Sequence, residues 1–306
     1  MSLPREVIRG RTYMITRRCS ERRFFLRPDE ETNEAFTYCL ALAASRSGIG
    51  LHFMHAASNH YHAGVTDHEG RYPVFLHYFH EFVAKSQNAL RGRSENFWSS
   101  EQTSVVRLVE APDVLSKMVY ALTNPVKDHL VEHVEEWPGV NSYQTTLTGG
   151  VLVAKRPKHF FRDDGDMPET VVLKLTRPPG FEKMTDDDFA AEIKKQVTAV
   201  EQTMAEERQK TGIQVLGRKR ILEQDWRASP DSEASRSDIN PRVAARSKWA
   251  REEALVRNKA FVEAHSNARQ RFKDGEKDVV FPAGTWWLRR YAGVACEAAE
   301  DQPAPA

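Results

Sequence analysis

Residues 59–66 read Asn-His-Tyr-His-Ala-Gly-Val-Thr, a run of strand-forming character with two histidines flanking one bulky residue. Successive side chains of a strand point to opposite faces, so His60 and His62 project to the same face, roughly 6.5–7 Å apart along the chain. Two imidazoles so placed can hold one divalent ion. Some sixty residues later, Lys117–Val126 reads Lys-Met-Val-Tyr-Ala-Leu-Thr-Asn-Pro-Val. It puts Tyr120 and Asn124 at i and i+4, on one face of a helix. A metal-binding pair joined to a phenol, with an amide one turn away, is a donor set suited to phosphotyrosine chemistry on a nucleic acid.

The order of elements around these two segments narrows the fold. A strand is predicted over 11–18. A helix follows Pro28-Asp29-Glu30-Glu31, whose acids suit a first turn, and carries the apolar stripe Phe36, Cys39, Leu40, Leu42 and Ala43 before Ser47-Gly48. Strands are predicted over 50–56 and 59–66, then a turn at Asp67-His68-Glu69-Gly70, a helix over 73–90 and a strand over 105–109. Ala111-Pro112-Asp113 opens the tyrosine helix, and Pro125 ends its regular part. Strand, helix, strand, strand, helix, strand, helix describes an α+β chain, a ferredoxin-like split βαβ with an antiparallel sheet. Which strands are neighbours is not readable from the order alone. Domain boundaries are expected at 1–148 and 149–306. After Gly149-Gly150 the chain becomes a largely helical extension, with a proline-punctuated region over 151–182 holding one strand at 171–175. Helices are expected over about 185–210 and 241–272, a mobile Ser- and Asp-rich linker over 228–240, and a disordered tail from 297.

A net charge of +1 excludes a uniformly basic nucleic-acid binder, so any such contact must come from local patches. One is visible: Arg5, Arg9, Arg11, Arg17, Arg18, Arg22, Arg23 and Arg27 stand against only Glu6 and Glu21 in the first 27 residues. Arg17, Arg18, Arg22 and Arg23, with Arg91 and Arg93, are the candidate DNA-phosphate contacts; the plainer reading is a solvated basic edge. Phe97-Trp98 and Trp286-Trp287 could stack bases, although core packing is favoured for both. Cys19, Cys39 and Cys296 lack metal or redox spacing, which suits a reducing cytoplasm. The N-terminus lacks a signal-peptide core, and no run is apolar enough for a membrane span.

The histidine strand and the Tyr-x-x-x-Asn-Pro-Val helix resemble the HUH-type single-strand DNA transposases, most closely the branch of REP-associated tyrosine transposases. Ser58 stands where that branch has proline before Asn59, and Tyr61 is the middle residue. Trp137-Pro138-Gly139-Val140-Asn141-Ser142-Tyr143 and the strand Tyr13–Arg18 extend the resemblance to about residues 4–147. The resemblance implies the same ferredoxin-like fold with the histidine strand central. It implies Tyr120 as nucleophile, leaving a 5′-phosphotyrosine and a free 3′-hydroxyl, with His60, His62 and Asn124 as ligands of Mg²⁺ or Mn²⁺. The expected partner is single-stranded or hairpin DNA, and a homodimer is compatible with it. Asn124 also has a competing role as a helix C-cap.

Two other readings stand beside this one: a non-catalytic DNA-binding or regulatory descendant of a transposase, and a zinc-dependent phosphoesterase drawing on the histidine-rich stretch His52, His55, His60, His62, His68, His77 and His80. The last lacks a carboxylate or cysteine at a recognised spacing; His52, His77 and His80 are expected to pack or to support the site.

Overall fold

A computed structural model describes residues 3–232 and 241–299. In chain order the elements are β1 (Arg11–Arg18), α1 (Glu30–Ser47), β2 (Ile49–Ala56), β3 (His60–Asp67), α2 (Tyr72–Leu90), β4 (Ser104–Leu108), α3 (Ala111–Leu122), α4 (Asn124–Lys127) and α5 (Tyr143–Thr148). There follow β5 (Val151–Lys155), β6 (Thr170–Lys174), α6 (Asp186–Thr211), α7 (Arg218–Glu223), β7 (Val243–Ala244), α8 (Lys248–Lys273), β8 (Val280–Phe281), α9 (Trp287–Ala292) and β9 (Ala295–Cys296).

The main sheet has the order β2-β3-β1-β4-β7, antiparallel throughout except for the last pair. Strand alternation divides it into two faces. Tyr13, Ile15, Tyr61, Ala63 and Val65 pack with Phe36 of α1 and Phe75 and Phe79 of α2. Met14, Phe53 and Leu108 face the other way, onto Val114, Met118 and Leu122 of α3 and Ile193 and Val197 of α6. Each covering helix is set by its ends. The Asp29 side chain accepts from Thr32 N at the start of α1, and Gly48 ends it in the left-handed region at φ 64°. Glu110 and Asp113 form a reciprocal capping box on α3.

The extension does not stand apart. The hairpin β5–β6 lies on α1, where Tyr38 Oη donates to Pro168 O at 2.6 Å. β5 is not legible in the sequence as a strand; its exposed Val151 and Val153 alternate with Leu152 and Ala154, and only pairing with β6 orders them. The helix expected over 241–272 begins later. Residues 243–244 instead add β7 in parallel to the free edge of β4, and Ser247 caps α8 by accepting from Ala250 N. Residues 228–232, expected to be mobile, are held against the N-terminal body: Phe24 N donates to Ala228 O at 2.9 Å and Ser229 Oγ to Glu21 O at 2.8 Å. The rest of that expected linker, 233–240, and the tail from 300 lie outside the described residues.

Candidate active site

The register of the sheet builds the site. Thr16 of β1, His55 of β2 and His62 of β3 lie side by side across three strands, and Arg18 lies opposite His60. All point to the face covered by α3. His60 Nε2 and His62 Nε2 converge to 3.2 Å, with ring centroids 4.8 Å apart. The outer nitrogens are occupied: His60 Nδ1 lies 2.7 Å from Asn59 Oδ1, and His62 Nδ1 2.7 Å from Thr16 Oγ1. An amide oxygen only accepts, so His60 Nδ1 carries its proton and Nε2 presents a lone pair. Thr16 can hold His62 in the same tautomer. Burial, reinforced by Arg18 and Arg22, pushes His60 down to about 4; burial, then His60 and His55, holds His62 well below the ordinary histidine range. Both imidazoles are therefore neutral near pH 7, the form that binds metal.

Tyr120 stands on α3 with its ring centroid 5.6 Å from that of His62. It is 41% exposed, unusual for a large side chain on a helix otherwise buried along one face. Burial and then Asp128 raise its pKa, with Arg18 opposing, so the phenol is protonated at rest. Lys117 and Lys127 bring their Nζ atoms to 5.5 and 5.0 Å from its ring centroid.

The chain breaks its helix between tyrosine and asparagine. Thr123 leaves the helical region at φ −89°, ψ 4°, and its Oγ1 donates to Val119 O at 2.7 Å. Pro125 then starts the separate turn α4, to which Asn124 belongs. The C-cap of α3 is thus Thr123, not Asn124 as the competing expectation had it. Asn124 is 6% exposed, and its Oδ1 is buried with no hydrogen-bond partner. Beside it stands His55, fully buried, its Nε2 also without a well-formed bond; burial pushes it down to about 3, and an interaction with Asn124 partly opposes this. Asn141 holds His55 from behind. Its Nδ2 donates to Leu122 O at 3.0 Å and lies 3.2 Å from His55 Nδ1, while its Oδ1 accepts from Tyr143 N at 2.9 Å. The sequence places His55 only in the histidine-rich stretch of the zinc reading and Asn141 only in the Trp137–Tyr143 segment; the register of β2 on β3 shows where His55 points.

His60, His62, Tyr120 and Asn124 line one cleft of about 850 Å³ with Arg18, Arg22 and Lys127, roofed by residues 228–232. The six candidate phosphate contacts divide. Arg18 and Arg22 reach this cleft, although Arg22 Nη2 also donates to Ser232 Oγ at 2.9 Å. Arg17 is one residue out of phase and so projects from the opposite face of the sheet, onto Trp98, with Nη1 2.7 Å from His80 Nδ1. Arg91 is bonded to Asp29, Thr32 and the Phe25 carbonyl. Arg93 stacks 3.8 Å over the Phe25 ring, and Arg23 pairs with Glu21. Arg17 and Arg91 are half-buried and bonded inside the protein, with Arg17 Nε left unpartnered, and neither lines the cleft. Phe97 and Trp98 are core residues, whereas Trp287 is exposed. His52 bridges Thr66 and the Thr176 carbonyl, His80 bonds Tyr61, and exposed His77 pairs with Glu81. Among the described residues no group of three His, Cys, Asp or Glu side chains is placed to hold a metal ion, and no helix is long and apolar enough to cross a membrane.

No protein-family model and no curated protein matches the chain. Among solved structures it is similar to a REP-associated tyrosine transposase bound to a REP hairpin, at 16% identity and a TM-score of 0.39 over 55% of this chain and 93% of that one. It is also similar to a protein from Deinococcus radiodurans R1 named as a candidate transposase, at 14% identity and a TM-score of 0.29 over 38% of this chain and 93% of the other. Scores below 0.5 leave function to be argued from the cleft itself.

Proposed function

We propose that the protein is a metal-dependent single-strand DNA endonuclease and strand transferase of the transposase class, on a ferredoxin-like HUH nuclease body, with Tyr120 as nucleophile. The observation that carries this is the convergence of two imidazole nitrogens and a buried amide oxygen beside a phenol. His60 Nε2 presents a lone pair 3.2 Å from His62 Nε2, which presents a second when Thr16 accepts the His62 Nδ1 proton, and the buried Asn124 Oδ1 lines the same cleft. The spacing is close to the roughly 3 Å edge between adjacent ligands of an octahedral ion with bonds of about 2.0–2.1 Å. The residues therefore fit a divalent ion: His60 and His62 through Nε2, and Asn124 through Oδ1. An N,N,O set leaving other positions open suits Mg²⁺ or Mn²⁺. When bound, the ion polarises and charge-compensates the scissile phosphate.

The protein's own groups do the rest. Arg18 and Lys127 line the cleft and offer positive charge to the phosphodiester backbone. Tyr120, held by α3 beside His62, attacks phosphorus; the Tyr120 Oη–P bond forms and the P–O3′ bond breaks. The phenol proton leaves to solvent and the departing 3′ oxygen takes one up, so charge balances. The product is a 5′-phosphotyrosine and a free 3′-hydroxyl, and attack by a 3′-hydroxyl reverses the step and joins strands without ATP. Lys117 and Lys127 flank the ring, and Arg18 opposes the burial and the Asp128 charge that hold the phenol protonated.

Incubating the protein with a labelled single-stranded hairpin oligonucleotide and Mn²⁺ tests this. A denaturation-resistant protein–DNA adduct is expected, absent with chelator and absent in Tyr120→Phe. Binding with no adduct under any metal would favour a non-catalytic DNA-binding protein. Phosphoester hydrolysis that needs zinc and is unchanged in Tyr120→Phe would favour a zinc hydrolase.

A further inference from the structure

On the opposite face of the sheet from Tyr120, roughly 16 Å along β1 from Thr16, lies a second polar site. It is a half-open cavity of about 30 Å³ lined by the N-terminal segment, β1, Tyr72 of α2, β4, β7 and α8. That exceeds the roughly 10–15 Å³ a single water needs. Its walls are basic. Arg5, Arg11, Arg107 and Arg242 line it together with one carboxylate, Glu6. Both Glu6 oxygens are taken, one by Arg11 Nη1 at 2.5 Å and the other by Arg257 Nε at 3.2 Å. Asp67, the next carboxylate, is committed to the Arg71 and Tyr72 amides at the start of α2. Arg5, Arg107 and Arg242 have no carboxylate within ion-pairing distance among the described residues. Arg5 donates to the Thr103 carbonyl and Arg242 to Gln102 Oε1 at 3.4 Å, both neutral acceptors.

Donors are left over in the same place. Arg5 Nε, Arg11 Nε and Nη2, Arg242 Nη1 and Tyr13 Oη are buried with no hydrogen-bond partner. Arg11 and Tyr13 are each more than nine-tenths buried. Burial holds the Tyr13 phenol protonated, so it too can donate. A half-buried excess of guanidinium charge, with unused N–H and O–H groups that are themselves buried, is costly unless an acceptor of opposite charge enters. Guanidinium forks and a phenol donor match the oxygens of a tetrahedral oxyanion.

We infer that this cavity is a binding site for a phosphate group, contacted by Arg5, Arg11, Tyr13 and Arg242. The compact space admits one phosphate and no stretch of sugar-phosphate chain, so the ligand is inorganic phosphate or the terminal phosphate of a nucleotide strand. Occupancy ties β7 and α8 of the extension to the N-terminal segment and β1. This site is independent of the Tyr120 chemistry and stands or falls separately.

The test is titration of the full chain with sodium phosphate against sodium chloride at equal ionic strength, read by calorimetry and by melting temperature. Saturable phosphate binding with a raised melting temperature is expected. At least tenfold weaker binding is expected in Arg242→Gln and in Tyr13→Phe, and wild-type binding in His60→Ala, which separates this site from the cleft. Tyr13→Phe removes one oxygen and no bulk, so without phosphate it should melt no lower than wild type. A 5′-phosphorylated oligonucleotide that competes with phosphate, where its unphosphorylated counterpart does not, makes a strand terminus the ligand; competition by neither makes it the free ion. Phosphate acting no differently from chloride, or binding equally to wild type and Tyr13→Phe, overturns the inference.

Discussion

His60 and His62 show how neighbours decide what a side chain can do. Alone in a strand, two histidines are surface bases; here burial holds both neutral, Asn59 leaves His60 Nε2 as an acceptor, and Thr16 can do the same for His62 Nε2. Thr16 orients His62. Thr16→Val keeps the shape and removes the oxygen. Supporting partners of this kind are typically worth about 10–100-fold in metal affinity or activity. A loss in that range is expected in the Mn²⁺ dependence of adduct formation, with unchanged circular dichroism; an unchanged Mn²⁺ titration would show that Thr16 does not set the His62 tautomer. At this scale the sequence was informative about identity and poor on direction. His60 and His62 could be paired because strand alternation is a local rule. The same rule separates Arg17 from Arg18, adjacent residues on opposite faces, of which only Arg18 reaches the cleft. His55 and Asn141 could not be found, because their meeting depends on the register of β2 and on a loop returning from 86 residues away.

Among the elements, β3 and α3 must sit at one distance for phenol and imidazole to meet, and Phe53 acts as the spacer between them. It packs beneath α3 in the core with Met118 and Leu122, directly over Gly64 of β3. A Cβ on Gly64 would lie 2.0 Å from the Phe53 ring. Gly64→Ala is therefore an overpacking change, expected to cost about 1–3 kcal/mol in urea unfolding and to reduce adduct formation by displacing α3. A variant as stable and as active as wild type would remove Phe53 from this role. The break at Thr123 matters in the same way. The i, i+4 spacing of Tyr120 and Asn124 suggested one continuous helix, but Pro125 lacks an N–H and starts a new turn. Asn124 is placed by that turn and not by helical periodicity. Elements after residue 150 were less legible because their order comes from long-range pairing: β5 needs β6, and β7 needs the β4 edge.

For the molecule as a whole, burying neutral histidines links stability to pH. His52 is pushed down to about 4, His55 to about 3 and His60 to about 4, each chiefly by burial. In the unfolded chain a histidine titrates near 6.5. Between about pH 6.5 and 4 the unfolded state thus binds protons that the native state refuses, and stability falls as pH falls. Each such histidine contributes up to about 1.4 kcal/mol per pH unit through this window. Urea unfolding at pH 7.5, 6 and 5 should show progressive loss, smaller in His52→Gln; a flat profile would mean that these imidazoles are not held neutral. Mn²⁺ should protect the same window, since protons and metal compete for His60 and His62.

In the proposed reaction, two imidazoles and one amide grip a cation beside the Tyr120 phenol. Pulsed electron paramagnetic resonance of Mn²⁺ bound to the full chain tests it most directly, because nitrogen ligands imprint their hyperfine coupling on the ion. Two coupled nitrogens are expected in the wild type, one each in His60→Ala and His62→Ala, and two in Tyr120→Phe. Manganese bound with no nitrogen coupling, or with a coupling that neither histidine variant changes, would contradict the account.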